Sequence, residues 1–412
     1  MTILPALPSV LPPGTQRDAV YILWSRGLRA FGDGYMSLLL PFYLTLLGYD
    51  ALEVGLLVTV TLLGSGVMTL AVGLIAHRYR GRTLLQAASL LMAATGAAFV
   101  MVTDFWPLLI VAFIGTLNPS SGDVSVFLPL EQALLSHTVP AKSRTALFAR
   151  YSLVGALVGA LGAQSAGIPA LLEQWLQMDL KRALQAMFLA YGLLGLASLA
   201  LYRGIAPDFE ADQKTTPTPL GKSRRTVLKL AALFSLDSFA GGFAVQSLLA
   251  LWLFQRFDLS VATAGTVFFW VGVLSALSQL ASARIAARFG LINTMVFTHL
   301  PSSVFLILVP FMPTLPLALL FLFLRSALSQ MDVPARTSYV MAVVSPAERP
   351  AAASVTAVPR SLAAAVSPAL AGYLLTLTVF GWPLIVCGAL KIAYDLMLLA
   401  MFRHVKPPEE VK

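Results

Sequence analysis

The stretch Gly73–Leu85, GLIAHRYRGRTLL, decides the fold because it places three arginines and one histidine between two long apolar segments. The apolar segments cover residues 51–76 and 83–103. Each has about the 20 apolar residues that a helix needs to cross ~30 Å of hydrocarbon. A short basic turn between two such segments is typical of a helical hairpin whose loop stays on one face of a membrane. The stretch therefore predicts two membrane-spanning helices joined by a basic loop.

The composition extends this prediction to the whole chain. Of its 412 residues, 58% are hydrophobic and only 11% are charged, whereas soluble domains carry about 25% charged residues. An outer-membrane barrel would need alternating segments of ~10 residues, and the apolar segments here do not alternate. We therefore expect an all-α membrane protein with twelve transmembrane helices. The predicted spans are residues 20–47, 51–76, 83–103, 106–138, 145–171, 182–203, 226–254, 261–288, 291–312, 315–344, 349–379 and 382–403.

The chain also contains an internal repeat. Phe31–Asp50 matches Phe239–Asp258 at an offset of 208 residues, and two further matches follow at offsets of 210 and 206. Between the two copies lies the polar segment Arg203–Arg225, which is rich in proline and threonine and is typical of a linker. Because an even number of spans separates the copies, we expect two six-helix halves of the same orientation. The predicted divisions are a tail at 1–19, a first half at 20–203, a linker at 204–225, a second half at 226–403 and a tail at 404–412.

The basic residues predict the orientation. Of the 28 lysines and arginines, 19 fall in segments on the side of the termini and 3 on the other side. Such a bias is typical of cytoplasmic loops. We therefore expect a multi-pass protein of the cell (inner) membrane with both termini in the cytoplasm.

The span count, the duplicated half and the central linker resemble the major facilitator superfamily. That family has a signature loop between its second and third helices, and Gly73, Arg78, Gly81 and Arg82 match it. His77 stands where the family usually has aspartate. The resemblance implies a fold of two pseudo-symmetric six-helix halves, and a gating role for the four matching residues.

A second, weaker resemblance concerns the fifth span, where family antiporters carry a glycine-rich motif. Gly155, Gly159, Gly162 and Gly167 match that pattern, but no proline follows Gly159 as it usually does in the motif. Glycines also permit ordinary close packing of helices. The match is taken as support for export, with packing as the alternative interpretation.

Ionisable residues inside the spans are the main candidates for a site, because each is costly in a membrane unless it is paired or faces water. Arg29 and Asp33 are one helical turn apart and share a face, and Arg29 aligns with Asp237 at the 208 offset. In the resembled family helices one, four, seven and ten line the central cavity. We therefore expect Arg29, Asp33 and Asp237 to meet near the axis, with a structural salt-bridge cluster as the alternative. The twelve ionisable residues are Asp33, Asp123, Glu131, Asp237, Asp332, Asp395, Arg26, Arg29, Arg325, Arg336, Arg360 and Lys391.

The fourth span contains the sequence NPSSGDVSVFLPLEQ, in which Pro119 and Pro129 interrupt helical hydrogen bonding. A broken backbone is tolerated at membrane depth only beside a cavity or packed protein. Asn118 and Asp123 lie in this region and are candidate substrate or coupling residues. Glu131 is a candidate for gating or proton relay.

The tenth span contains RSALSQMDVPAR, with Arg325, Gln330 and Asp332 in its middle and Pro334 just after them. All three are candidate substrate or coupling residues, as is Arg360 in the eleventh span. Arg360 has no charged partner nearby in the sequence, so a salt bridge to Asp332 is the alternative.

The remaining charged residues in spans have simpler interpretations. Lys391 and Asp395 are four residues apart and are expected to neutralise each other, while Arg26 is expected to extend its charge towards the cytoplasmic surface. The four histidines, His77, His137, His299 and His404, show no metal-ligand spacing. No metal or other cofactor is expected.

These features together predict a secondary active transporter. There is no Walker loop and no other enzyme signature, so we expect no enzymatic activity. The leading prediction is proton-coupled export of a small organic compound by rocker-switch alternating access. Uptake of an organic anion held by Arg29, Arg325 or Arg360 is the first alternative, and a non-transporting sensor or a lipid scramblase is an alternative of another class. The expected partners are the solute, protons and the lipid bilayer, without nucleic acid, for a monomeric protein.

Overall fold

The computed structural model describes residues 11–75, 78–120, 125–140, 143–206, 220–221, 223–344 and 348–405. Within these ranges the chain forms sixteen α-helices joined by short turns and 3-10 segments. The helices of the first half are α1 Arg17–Leu46, α2 Ala51–Ile75, α3 Gly81–Met101, α4 Phe105–Ile114, α5 Phe127–His137, α6 Arg144–Gln164, α7 Ile168–Leu176 and α8 Leu180–Tyr202. Those of the second half are α9 Arg224–Gly242, α10 Gln246–Phe257, α11 Val261–Phe289, α12 Leu291–Leu308, α13 Leu315–Leu328, α14 Asp332–Ala342, α15 Arg349–Leu377 and α16 Trp382–Phe402.

Each predicted span contains one or two of these helices. Ten helical segments are long and apolar enough to cross a membrane by length and composition. The other two predicted spans correspond to α1, which carries three buried charges, and to the shorter pair α4 and α5. Within the described residues, the fourth, fifth, seventh and tenth spans each contain two helices, namely α4 and α5, α6 and α7, α9 and α10, and α13 and α14. The proline-containing break in the fourth span agrees with the sequence prediction.

The two halves contact each other through a pair of helix crossings that the internal repeat relates. In one, α2 packs on α15, where a Cβ atom on Gly55 would lie 2.5 Å from the backbone oxygen of Pro368 and 3.0 Å from the Cα of Gly372. In the other, α11 packs on α6, where a Cβ atom on Gly265 would lie 2.7 Å from the backbone oxygen of Ala163. Glycine is required at these points because any side chain would separate the helices.

We call the side that carries the linker 204–225 and the basic loop after α2 the linker side, and the opposite side the far side. The crossing at Gly55 lies in the first turns of α2, near the far side. Gln246 donates a hydrogen bond of 2.8 Å to the Ser37 hydroxyl across the halves. The rings of Phe42 and Phe254 meet 5.7 Å apart between their centroids. All of these contacts lie in the far-side part of the bundle.

Candidate functional site

The first half contains a buried ion pair between α1 and α5. Arg29 donates a hydrogen bond through Nη2 to Oε2 of Glu131, and the two side chains are 2% and 0% exposed. Glu131 also accepts hydrogen bonds of 2.6 Å from the hydroxyls of Tyr151 on α6 and Tyr202 on α8. The guanidinium lies over the Phe127 ring, with Cζ 4.1 Å from the centroid. Both oxygens of the carboxylate are therefore satisfied, as a buried charge requires.

This pairing corrects a sequence prediction. The expectation that Arg29, Asp33 and Asp237 meet near the axis is wrong, because the Arg29 side chain lies within the first half and Asp237 lies within the second. Asp33 is buried one turn further along α1, within electrostatic range of the tyrosine hydroxyls at 35 and 191. The pairs Arg29–Glu131, Asp237–Arg336, Asp237–Lys391 and His299–Asp395 each join two helices of the same half.

Arg26 also differs from its prediction. It is only 7% exposed and lies over the Tyr151 ring, with Cζ 5.0 Å from the centroid. Gly155 on α6 provides the space for it, since a Cβ atom there would collide with the guanidinium. The other α6 glycines receive the backbone of α1, as Gly162 does at Phe31. The α6 glycines thus have a packing role, and the resemblance to an antiporter motif adds little beyond it.

The second half contains a larger cluster around Asp237 on α9. Its Oδ1 lies 2.7 Å from Nζ of Lys391 on α16, and its Oδ2 lies 3.0 Å from Nη1 of Arg336 on α14. Arg336 also lies 3.5 Å from Oδ2 of Asp332 one turn earlier. Asp237 therefore pairs with two cations. Its pairing with the tenth and twelfth spans, through α14 and α16, was not predicted from the sequence.

His299 on α12 completes this cluster. Its Nδ1 lies 3.0 Å from both carboxylate oxygens of Asp395, while its Nε2 lies 3.3 Å from Nζ of Lys391 and 3.9 Å from Oδ1 of Asp237. The prediction that Lys391 and Asp395 neutralise each other is therefore wrong, since each has another partner. The sequence context of His299 shows no metal-ligand spacing, so His299 was not predicted as a site residue. A histidine inside an apolar span was itself a signal, but its partner is 96 residues away.

The two clusters are related by the internal repeat, with their charges reversed. Arg29 on α1 aligns with Asp237 on α9 at the 208 offset, and Glu131 on α5 lies 205 residues before Arg336 on α14. In each half an ion pair thus joins the first and fourth spans, with the cation on the first span in one half and on the fourth in the other. The repeat has kept the position of the pair and exchanged its polarity.

Three other candidates lie outside these ion pairs. Arg360 on α15 is partly exposed and donates through Nε to the Ser238 hydroxyl at 3.2 Å. Asp332, the alternative partner expected for Arg360, is paired with Arg336. Arg325 and Gln330 are partly exposed. Among the described residues, Arg360 and Arg325 have no carboxylate within salt-bridge distance.

Local hydrogen bonds stabilise the described part of the break in the fourth span. Asn118 is 2% exposed, and its Oδ1 accepts from the Ser120 backbone N–H at 3.2 Å and from the Ser120 hydroxyl at 2.7 Å. A small cleft beside the break is lined by residues that include Ser65 and Thr116. Asp123 lies outside the described residues. Asn118 therefore stabilises the irregular backbone, and its role as a substrate ligand stays a prediction.

The basic loop of the opening stretch contacts the sixth span. Arg82 donates through Nη2 to the backbone oxygen of Arg203, just beyond the end of α8, at 3.0 Å. Gly81 begins α3, while Gly73 and Arg78 are exposed. Arg82 thus binds the end of a helix in its own half, and a gating role for this loop stays a prediction.

A family model described as Major Facilitator Superfamily matches residues 22–251 and 230–412, which together cover nearly the whole chain. The chain belongs to the major facilitator superfamily. This confirms the family, and the all-helical fold of two halves, that the sequence predicted.

Several individual proteins resemble the chain. An uncharacterized membrane protein of Saccharomyces cerevisiae is 26% identical over 422 residues, covering 94% of both chains. Among solved structures, a mutant of the nucleoside transporter NupG has a TM-score of 0.73 at 12% identity, covering 94% of this chain and 100% of that one. The human organic anion transporter MFSD10 has a TM-score of 0.66 at 17% identity, covering 94% and 100%.

A bacterial homologue of the human lysosomal transporter Spinster, in an inward-facing and occupied conformation, has a TM-score of 0.69 at 14% identity, covering 93% of this chain and 95% of that one. At these identities the solved structures show a shared fold alone. With the family match, they support transport as the general activity of this chain.

Proposed function

We propose that the protein is a secondary active transporter that moves a small organic anion together with protons. The observation that carries this proposal is Arg360, a partly exposed cation without a carboxylate partner in the described part of the chain. It hydrogen-bonds to the residue next to Asp237, whose cluster holds two further cations. A guanidinium with free donors matches a carboxylate, sulfonate or phosphate group. The similarity to the human organic anion transporter MFSD10 is consistent with such a solute.

The Asp237 cluster suggests how protons would be coupled to the solute. Asp237 neutralises Lys391 and Arg336 while it is ionised. A proton taken up by the cluster would remove one of these pairings and leave a cation available for an anion. Proton and anion would then favour each other's binding, and such coupling is reciprocal. This logic predicts that the two move in the same direction.

Export in exchange for protons, the leading prediction from the sequence, is the second candidate. Exchange requires a solute that competes with the proton for one site, such as a cation that pairs with a carboxylate. Asp33, a buried carboxylate of α1, is the sequence candidate for this role. We keep Asp33 as the coupling candidate for that mechanism.

We further propose that residues 20–203 and 226–403 rock against each other as the two halves of the transport cycle. The glycine crossings at the far side would separate as the linker side closes. In that state Arg78 and Arg82 of the basic loop are positioned to meet the linker-side helix ends of the other half. This would give the loop its gating role.

A solute panel in proteoliposomes tests the proposal. The panel contains the organic anion p-aminohippurate, a nucleoside monophosphate, neutral uridine and the cation tetraethylammonium, each offered with and without a pH gradient. We expect an anion to accumulate when protons move in the same direction, and R360Q to reduce this uptake about tenfold or more, since a hydrogen-bonded charge is worth ~1.5–3 kcal/mol. R256Q, the same change at an exposed arginine, is the control. Uptake of uridine or tetraethylammonium alone, or full activity of R360Q, would contradict the proposed anion site.

A further inference from the structure

The hydrogen bonds around His299 determine which ring nitrogen carries a proton. The Lys391 ammonium is a donor only, so Nε2 of His299, 3.3 Å from Nζ, must be the acceptor. The other nitrogen, Nδ1, lies 3.0 Å from both oxygens of Asp395 and is placed to donate to them. With Lys391 in this position, His299 is therefore a neutral imidazole that bears its proton on Nδ1.

A second proton on His299 is incompatible with this arrangement. It would have to bind at Nε2, where it would face the donor hydrogens and positive charge of Lys391. The acceptor within reach is Oδ1 of Asp237, 3.9 Å from Nε2 and currently bound to Lys391 at 2.7 Å. Protonated His299 would thus replace Lys391 as the partner of Asp237. A rotation of the imidazole that moves Nε2 by less than 1 Å would bring Nε2 and Oδ1 of Asp237 within hydrogen-bond distance.

We propose that His299 is the proton-binding group of the transport cycle, and that its protonation releases Lys391 to bind the organic anion beside Arg360. This inference rests on the proposed function and names the atoms that would couple the two ligands. No covalent bond changes: one proton binds at Nε2, and the Lys391 ammonium exchanges Asp237 for the solute anion. Lys391 is suited to this because its side chain is 14% exposed, more than any other member of the ion pairs around Asp237.

The charges around His299 act in both directions. Ionised Asp237 and Asp395 attract a proton to the imidazole, whereas the positive charges of Lys391 and Arg336 repel it. Four helices pack on α12 and carry the other titratable groups of this region. These groups are Lys391, Asp395, Cys387 and Tyr394 on α16, Arg336 and Asp332 on α14, Arg325 on α13, and Arg284 and Arg288 in the last two turns of α11. Asp237 on α9 completes the shell, with Arg360 of α15 beyond it.

Histidine NMR tests the proton site without any solute. Full-length protein with isotope-labelled histidine is titrated in nanodiscs, and the signal lost in H299Q identifies His299, with H137Q as the control at an exposed histidine. We expect the His299 signal to report protonation as the pH falls, and K391Q to raise the midpoint of that change because a neighbouring cation is removed. D395N should lower it. A single protonation state from pH 5 to 9, or an unchanged midpoint in K391Q, would overturn the inference.

Transport of p-aminohippurate in proteoliposomes separates this inference from the proposed function. We expect H299Q to lose the extra accumulation that a pH gradient gives the wild-type protein, while H137Q keeps it. If the wild-type protein is proton-coupled and H299Q remains fully gradient-driven, the inference is wrong and the proposed function stands. If His299 titrates as expected but no anion of the panel is transported, the proton site stands and the proposed solute class is wrong.

Discussion

At the residue scale, the central feature is that each half buries an ion pair between its first and fourth spans. The sequence alone showed which residues are charged at membrane depth, and equal numbers of acidic and basic groups indicated mutual neutralisation. It did not show the partners, because Arg29 and Glu131 are 102 residues apart and Asp237 and Lys391 are 154 apart. The predictions paired Arg29 with Asp33 and Lys391 with Asp395, each one helical turn away. In the structure Arg29 pairs with Glu131 and Lys391 with Asp237.

The Arg29–Glu131 pair gives a prediction for stability. E131Q leaves the buried Arg29 charge without its counter-ion, and removing one partner of a buried pair costs about 3–5 kcal/mol. Y202F removes one hydrogen bond to the carboxylate and should cost less, about 1.5–3 kcal/mol. Denaturant unfolding in detergent checks both, with E173Q at an exposed glutamate as the neutral control. The structural account of the pair fails if E131Q is as stable as E173Q.

At the scale of helices, most of the architecture was predictable. The twelve apolar segments marked the spans, and prolines located the break between α4 and α5. The basic loop was correctly predicted between α2 and α3. The hydrogen bond from Arg82 to the backbone oxygen of Arg203, just beyond α8, was not indicated by any local sequence pattern. The crossings at Gly55 and Gly265 were also not predicted, because a glycine in a span gives no sign of which backbone approaches it.

The far-side crossing of α2 and α15 should respond to a larger side chain at Gly55. G55V places atoms against the Pro368 carbonyl and should push the halves apart, so that the far side opens. A197V, which adds atoms at an exposed position of α8, is the control. A cysteine introduced at buried Ser37, in a chain whose natural Cys387 is buried, reports the opening. We expect faster labelling by an impermeant maleimide in G55V, and equal rates in the two variants would contradict the proposed gate.

At the scale of the whole molecule, the orientation in the membrane follows from charge. The excess of lysine and arginine on the linker side predicts that reporters fused after Arg82, Pro217 and Lys412 are cytoplasmic. Reporters after Asp50 and Asp258 should lie outside. Fusions in living cells measure this directly, and an external Pro217 fusion would reverse the assignment. With this orientation, the linker side would face the cytoplasm.

The central claim is that proton and organic anion bind together and move together. The direct measurement uses proteoliposomes loaded with p-aminohippurate, or with whichever anion of the panel is transported, at equal internal and external pH and with a dye that reports internal pH. As the anion leaves down its gradient, a co-transporter carries protons out with it, so the account predicts that the interior becomes alkaline. Acidification of the interior would show exchange, and an unchanged internal pH during anion efflux would show uncoupled transport. Either result would contradict the account.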